Sequence, residues 1–183
     1  KRPLLKHRLK NAPAEFDVLE RLGTVEKNID RAADIARELL QFSRQSESES
    51  VPVNINTVIN GALTLLKHKL DNVVVERDLA ALPDVTGEPG KLEQVFINVL
   101  SNAAEAMPEG GRISIVSRRQ IGAVLVRISD TGSGIPEEQL SRVFDPFFTT
   151  KEIGTGTGLG LSLCYGIIKQ HDGTIEISST PGK

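Results

Sequence analysis

Asp130-Thr131-Gly132-Ser133-Gly134-Ile135-Pro136 follows an alternating run, Val124 to Ser129, in which Val124, Val126 and Ile128 share one face. A carboxylate at the end of a buried strand is costly unless it has a partner. Two glycines in the next four residues let the backbone turn sharply and approach a ligand closely. Such a carboxylate can accept a hydrogen bond from an exocyclic amine while the bare backbone packs along a flat ring, a description that adenine fits. An ordinary Asp-Thr-Gly turn has the same sequence. Upstream, Asn98, Asn102 and Glu105 are spaced four and then three apart, so they share one helix face, with Val95, Val99 and Ala103 on an adjacent apolar one. Two carboxamides on a helix flank suit a hydrated magnesium ion bridging phosphates, because that ion keeps several waters and needs few protein oxygens. Downstream, Gly154-Thr155-Gly156-Thr157-Gly158-Leu159-Gly160-Leu161 runs into an apolar helix. A glycine-rich loop opening a helix offers backbone N–H groups and a positive dipole end to phosphate. No Gly-Lys-Ser/Thr occurs anywhere, which excludes a Walker A loop, and no βαβ unit surrounds the glycines as a dinucleotide fingerprint requires.

The elements that must position these residues read off in order. Val51-Pro52-Val53 is a short strand whose proline suits an edge. Asn54 or Asn56 caps a helix with Val58, Ile59, Ala62, Leu65, Leu66 and Leu70 inward. Val73 to Arg77 is a second strand, and Leu82 to Gly87 reads as a loop. Glu88-Pro89 opens the asparagine helix, and Pro108-Glu109-Gly110-Gly111 closes it. Arg112 to Arg118 and Ala123 to Ser129 form a hairpin across Gln120-Ile121-Gly122. A short helix starts at Pro136, a longer one spans Leu159 to about His171, and Thr174 to Ser178 alternates as a strand. Ahead of all this, Leu4, Leu5 and Leu9 lie on a short segment broken at Asn11-Ala12-Pro13. Val18, Leu22, Val25, Ile29, Ala32, Ala36 and Leu39 then repeat at alternating spacings of four and three. Leu19, Ala33 and Leu40 widen that stripe, which favours a helical bundle completed by a partner chain or by a missing N-terminal part; a helical hairpin packed on the chain's own domain is the alternative.

Among 183 residues, 22 Lys and Arg against 24 Asp and Glu leave a formal charge of −2, so no strong field points to nucleic acid. No apolar run approaches the ~20 residues of a membrane span, and no signal peptide is visible. One cysteine, Cys164, permits no internal disulfide and fits a reducing, cytosolic setting.

Together and in this order, the three motifs resemble the GHKL ATP-binding fold and, within it, the ATP-binding domain of sensor histidine kinases. Arg142-Val143-Phe144-Asp145-Pro146-Phe147-Phe148-Thr149-Thr150-Lys151, between the anchors, looks like that family's F box, in a nitrogen-regulation-like form. The resemblance covers roughly residues 15 to 183. It implies an α+β fold, a two-layer α/β sandwich with a mixed, antiparallel-rich sheet and helices on one face, preceded by a helical hairpin. Residues 1–45 would be part of a dimerisation hairpin, 46–50 a hinge, and 51–183 the ATP-binding domain with its last strand missing.

By the same resemblance Asp130 takes the adenine amino group, while Gly132, Gly134, Ile135 and Phe144 shape the base site. Asn102 holds Mg2+ and Asn98 helps place the phosphates. Lys151 contacts the γ-phosphate, and the run from Gly156 through Thr157, Gly158 and Leu159 to Gly160 meets phosphate through backbone donors. The stretch from Phe144 to Gly156 acts as a mobile lid, and Phe147 and Phe148 are expected in the core. ATP-hydrolysing relatives carry a glutamate four residues before the magnesium asparagine; Asn98 is a poor general base, which favours transfer over hydrolysis. The implied function is a protein-histidine kinase of a two-component system, with Asn98 and Lys151 as catalytic residues, ATP and Mg2+ as cofactors, and phosphate relayed to a response regulator. A related protein-serine kinase and a non-catalytic ATP-binding dimerisation module are the alternatives. The expected partners are a second copy, through the N-terminal helices, and a receiver domain, with no nucleic acid and no membrane segment in this chain. Placement is cytoplasmic, free or as the inner part of a membrane-bound sensor. His7 is followed by Arg8-Leu9-Lys10 instead of the family's acid-led pattern, so the phosphoacceptor is expected to lie outside this sequence. His68 and His171 are expected to be ordinary surface or satisfied residues.

Overall fold

The computed structural model describes residues 21–26, 28–29, 33, 49–151 and 156–181. The chain divides into two compact units, Lys1–Arg44 with Thr149–Thr157, and Gln45–Phe148 with Gly158–Lys183. In the first unit, residues 21–26, 28, 29 and 33 are helical, and Leu22, Val25 and Ile29 of the heptad stripe are exposed. The short first segment, His7, the remainder of the stripe and residues 46–48 of the expected hinge lie outside the described residues.

The second unit is a layered α+β structure. Strand β1 (Val51–Val53) pairs antiparallel with β3 (Val85–Gly87). A three-stranded sheet runs in the order β2 (Val73–Leu79), β4 (Gly111–Gln120), β5 (Ala123–Asp130), with β2 parallel and β5 antiparallel to β4. Helices α1 (Ile55–Leu65) and α2 (Pro89–Glu105) supply Ile59, Ala62, Leu92, Phe96 and Leu100 to a core shared with Ile113 and Ile115 of β4. The opposite face of β4 carries Arg112 and Arg118, ion-paired to Glu76 and Asp78 of β2. Two further helices follow, α3 (Glu137–Leu140) and α4 (Gly160–Gln170). No helix among the described residues is long and apolar enough to cross a membrane.

Local chemistry accounts for the boundaries. Asn54 caps α1, its Oδ1 accepting the N–H groups of Asn56 at 3.1 Å and Thr57 at 3.4 Å. Asn56 instead reaches the sheet: its Nδ2 donates to Ala80 O at 2.8 Å, and its Oδ1 accepts the Ser117 hydroxyl at 2.9 Å. Ser117 is wholly buried, so that bond is what makes its burial tolerable. Pro89 opens α2 at a position where its missing N–H costs nothing.

Three expectations are corrected. Leu65, expected inward, is 65% exposed, because α1 ends there and the chain turns Leu66 and Leu70 inward through a 3-10 turn, Lys67–Leu70. The expected loop before α2 contains β3, which is only three residues long and too short to show alternation. Thr174 to Ser178 alternates half-buried and exposed as expected, yet belongs to no ladder; Ile175 packs on the Val95, Cys164 and Ile167 cluster. Alternation records which side of an extended chain is covered, and ladder pairing is a separate requirement.

Candidate functional site

Asp130 closes β5 opposite Ile113, and its Oδ1 accepts the Gly132 N–H at 2.9 Å. The aspartate thus folds its own turn with one oxygen, leaving the other for an outside donor. The turn is clamped from two sides. Against α2's end, the Ser133 N–H donates to Ala106 O at 3.2 Å, and a Cβ on Gly132 would stand 2.6 Å from Ala106 Cβ. Thr131 Oγ1 accepts the Arg112 N–H at 3.0 Å and lies 3.5 Å from Met107 Sδ. From the other side, the Ile135 N–H donates to Ser179 Oγ at 2.8 Å. Gly134 has φ +75°, with a Cβ position only 3.0 Å from Thr180 O, so no other residue fits there. The glycines and Asp130 were legible from sequence; Met107, Thr131 and Ser179 were not. Ser179 meets a partner 44 residues away, and no local pattern announces such a contact.

The second part lies between α2 and α4, which run antiparallel. Asn98 Nδ2 donates to Gly160 O at 3.4 Å, and Val95, Cys164 and Ile167 form the buried seam beyond it. Leu159, the N-cap residue of α4, makes no side-chain cap, which leaves the first N–H groups of that helix to other acceptors. Asn98 and Asn102 are half-buried on α2. Glu105, one turn on, pairs with Lys69 and accepts the Ser101 hydroxyl at 3.3 Å, which draws it toward the 3-10 turn. Burial pushes the Cys164 thiol up to about 11, against a smaller downward pull from Asn98.

Ahead of α4, Gly158 has φ +71° and its O accepts the Phe147 N–H at 2.9 Å. A Cβ on Gly158 would meet the Phe147 carbonyl carbon at 2.4 Å, whereas one on Gly160 would come no closer than 3.8 Å to Asn98, an ordinary contact. Leu159 O accepts the Leu163 N–H and the Ser162 hydroxyl, both at 2.9 Å. Phe147, expected in the core, is 65% exposed with φ +67°, because its backbone is turned to clasp Gly158. Phe148 is half-buried under the Arg142 guanidinium, 4.7 Å from the ring centre. Phe144 packs on Tyr165 of α4, ring centres 5.4 Å apart.

Lys151, Gly156 and Thr157 fall in the segment grouped with the other unit. There a Cβ on Gly156 would lie 2.7 Å from Thr149 Oγ1 and 3.1 Å from Lys151 Cδ. Gly154 and Thr155 are outside the described residues.

These features fit a purine nucleotide better than a metal cage. The turn offers a carboxylate oxygen beside bare glycine backbone, and the uncapped α4 N-terminus offers donors for phosphate. Among the described residues no three His, Cys, Asp or Glu side chains gather at one point.

The family described as "Histidine kinase-, DNA gyrase B-, and HSP90-like ATPase" matches residues 87–183. The sensor kinase CckA of Brucella abortus is 38% identical over 177 residues, covering 87% of this chain and 19% of that protein. The sensor histidine kinase ZraS of Escherichia coli K12 is 33% identical over 183 residues, covering 98% of this chain and 39% of that protein. This chain thus spans well under half the length of either relative. The structure of the histidine kinase ThkA in complex with the response regulator protein TrrA superposes with a TM-score of 0.69 at 28% identity, covering 92% of this chain and 49% of that one.

Proposed function

The chain belongs to the histidine kinase-, DNA gyrase B- and HSP90-like ATPase family, among its sensor histidine kinases, and from that premise we propose that it binds ATP with Mg2+ and donates the γ-phosphoryl group to a protein histidine. The observation that carries this reading is the aspartate turn held flat against the end of the asparagine helix, with an uncapped helix N-terminus beside Asn98.

Asp130's free oxygen accepts the adenine amine, and Gly132, Gly134 and Ile135 let the ring lie along the backbone. The first N–H groups of α4, with Gly158, Leu159 and Gly160, hold phosphate oxygens. Asn102 would hold a magnesium ion, which would supply charge neutralisation to the phosphates. Asn98 carries no charge and donates to the α4 backbone, so it positions phosphate instead of activating water. A P–N bond then forms on the acceptor imidazole as the bond to the β-phosphate oxygen breaks and ADP leaves. Residues 144–156 serve as a lid, with Lys151 on the γ-phosphate.

The same reading makes residues 1–45 part of a dimerisation hairpin, 46–50 a hinge and 51–183 the nucleotide-binding domain. The exposed Leu22, Val25 and Ile29 support pairing with a second copy. A response-regulator aspartate is the onward recipient, as the complex of ThkA with TrrA suggests by analogy, and the setting is cytoplasmic.

The test is calorimetry with ATP and Mg2+, followed by incubation with γ-labelled ATP and an added acceptor domain of the same family. Binding, and acid-labile, base-stable label on the acceptor that Asn102→Ala abolishes, are the expected results. Absence of binding, acid-stable label, or release of phosphate to water without transfer would overturn the proposal.

A further inference from the structure

The two ends of the α2–α4 pair are tied differently. At the nucleotide end the tie is Asn98 to Gly160. At the far end, His171 caps α4 and sits between the two helices: its Nε2 accepts the Glu88 N–H at 2.9 Å, and its Nδ1 lies 2.8 Å from Ile167 O. Both partners have fixed roles, since an amide N–H only donates and a carbonyl only accepts. Nδ1 must therefore carry the proton and Nε2 must be bare, which is one tautomer of the neutral ring. A second proton would set N–H against N–H and break the tie to α2.

Space around the ring is also set aside for it. A Cβ on Gly87 would fall 2.7 Å from the imidazole Cδ2, so the last residue of β3 is a glycine that the ring lies against. The charges nearby are largely matched. Glu88 and Lys91 on α2 pair at 2.7 Å, both mostly covered, and Lys91 also reaches Gln170 Oε1 at 3.4 Å. On α4's own end, Lys169 lies over the Tyr165 ring, and Asp172 follows in an exposed turn.

We propose that His171 is a positioning residue for the nucleotide site, setting the angle between the asparagine helix and the phosphate-loop helix from their far ends, and that it does so only as the neutral Nδ1–H tautomer. Because the site lies along the same helix pair, releasing the far tie lets α2 and α4 rotate about the Val95–Cys164–Ile167 seam and moves Asn98 and Asn102 off the phosphate donors. The inference rests on the nucleotide reading above.

The experiment measures affinity for ATP with Mg2+ by calorimetry at about pH 8. It compares wild type, His171→Gln and His171→Ala, with circular dichroism to confirm folding. Glutamine can offer Oε1 to the Glu88 N–H at every pH. At pH 8 the glutamine variant should bind within about threefold of wild type, and the alanine variant about tenfold more weakly, the loss of one hydrogen bond. In wild type, imidazole 15N shifts, assigned through bonds from the His171 backbone amide, should show a protonated Nδ1 and a bare Nε2. An Nε2–H tautomer, or a glutamine variant that binds as weakly as the alanine variant, would overturn the inference, and the tautomer decides it even if both variants unfold. Failure of wild type to bind at pH 8 is a separate outcome, which removes the nucleotide reading and the inference together.

Discussion

Gly158→Ala tests how the phosphate loop is held. Gly158 has φ +71°, where a side chain costs about 1–2 kcal/mol. Its new Cβ would also stand 2.4 Å from the Phe147 carbonyl carbon and 2.7 Å from the carbonyl oxygen. Both obstacles are backbone, so no rotamer change relieves them, and Phe147 is itself committed to φ +67° by its N–H bond to Gly158 O. Overpacking of this kind adds about 1–3 kcal/mol. The total, about 2–5 kcal/mol, corresponds to a fall in melting temperature of roughly 5–15 °C for a chain this long. Gly166→Ala is the internal control, since Gly166 lies within α4 and a Cβ there meets nothing within 4 Å. It should stabilise by about 1 kcal/mol through helix propensity alone. Thermal melts of both variants, with a fluorescent nucleotide to report binding, are the assay. If Gly158→Ala melts and binds like wild type, or shifts in the same direction as Gly166→Ala, the Phe147–Gly158 clasp does not shape the loop.

Asp130 holds its own turn and, in the function proposed above, also takes the adenine amine; two substitutions separate the two. Asp130→Ala removes the turn's acceptor as well as the adenine's and should lose about 1 kcal/mol of stability together with affinity. Asp130→Asn keeps an oxygen for the Gly132 N–H but turns an amide toward the base, so the fold should hold while ATP affinity drops by about 1.5–3 kcal/mol and preference over GTP collapses. Calorimetry with both nucleotides decides it, and unchanged ATP affinity in Asp130→Asn would remove the base assignment. Cys164, wholly buried with its thiol raised from 9.0 to about 11, should resist alkylation at pH 8 until denaturant is added. An acid whose value is raised on folding contributes stability that is intact below pH 9 and lost toward pH 11, about 2–3 kcal/mol in all. Denaturant melts between pH 8.5 and 10.5 should show that slope in wild type and lose it in Cys164→Ala.

What the sequence made legible is what depends on neighbours along the chain. Glu88-Pro89 marked the start of α2, Gly122 the β4–β5 turn with φ +72°, and Asp130 with its glycines the turn that closes β5. The spacing of Asn98 and Asn102 put them on one helix, but not beside Gly160, because that contact depends on how α2 and α4 pack. His171 read as an ordinary satisfied histidine, and it is satisfied; only the far residues Gly87 and Glu88 show what it holds. Phe147 was misplaced because an aromatic residue usually packs inward, and the cost of exposing it is outweighed locally by a backbone clasp invisible in one dimension. The parallel pairing of β2 with β4 was equally hidden, since it depends on the crossover through β3 and α2.

The buried Ser117 hydroxyl under Asn56 has a consequence for how the chain avoids misassembly. Strand β4 alternates Ile113, Ile115 and Ser117 inward with Arg112 and Arg118 outward. Sliding it by one residue along β2 would press guanidinium groups into the apolar layer, expose two isoleucines, and leave Asn56 Oδ1 facing no donor. Hydrophobic pattern alone would penalise the slip; the serine adds a polar key that accepts only one alignment, because its hydroxyl meets the end of α1 at a single register. A mispaired sheet is thereby rejected while the chain is still assembling, before any nucleotide could bind to select the correct one.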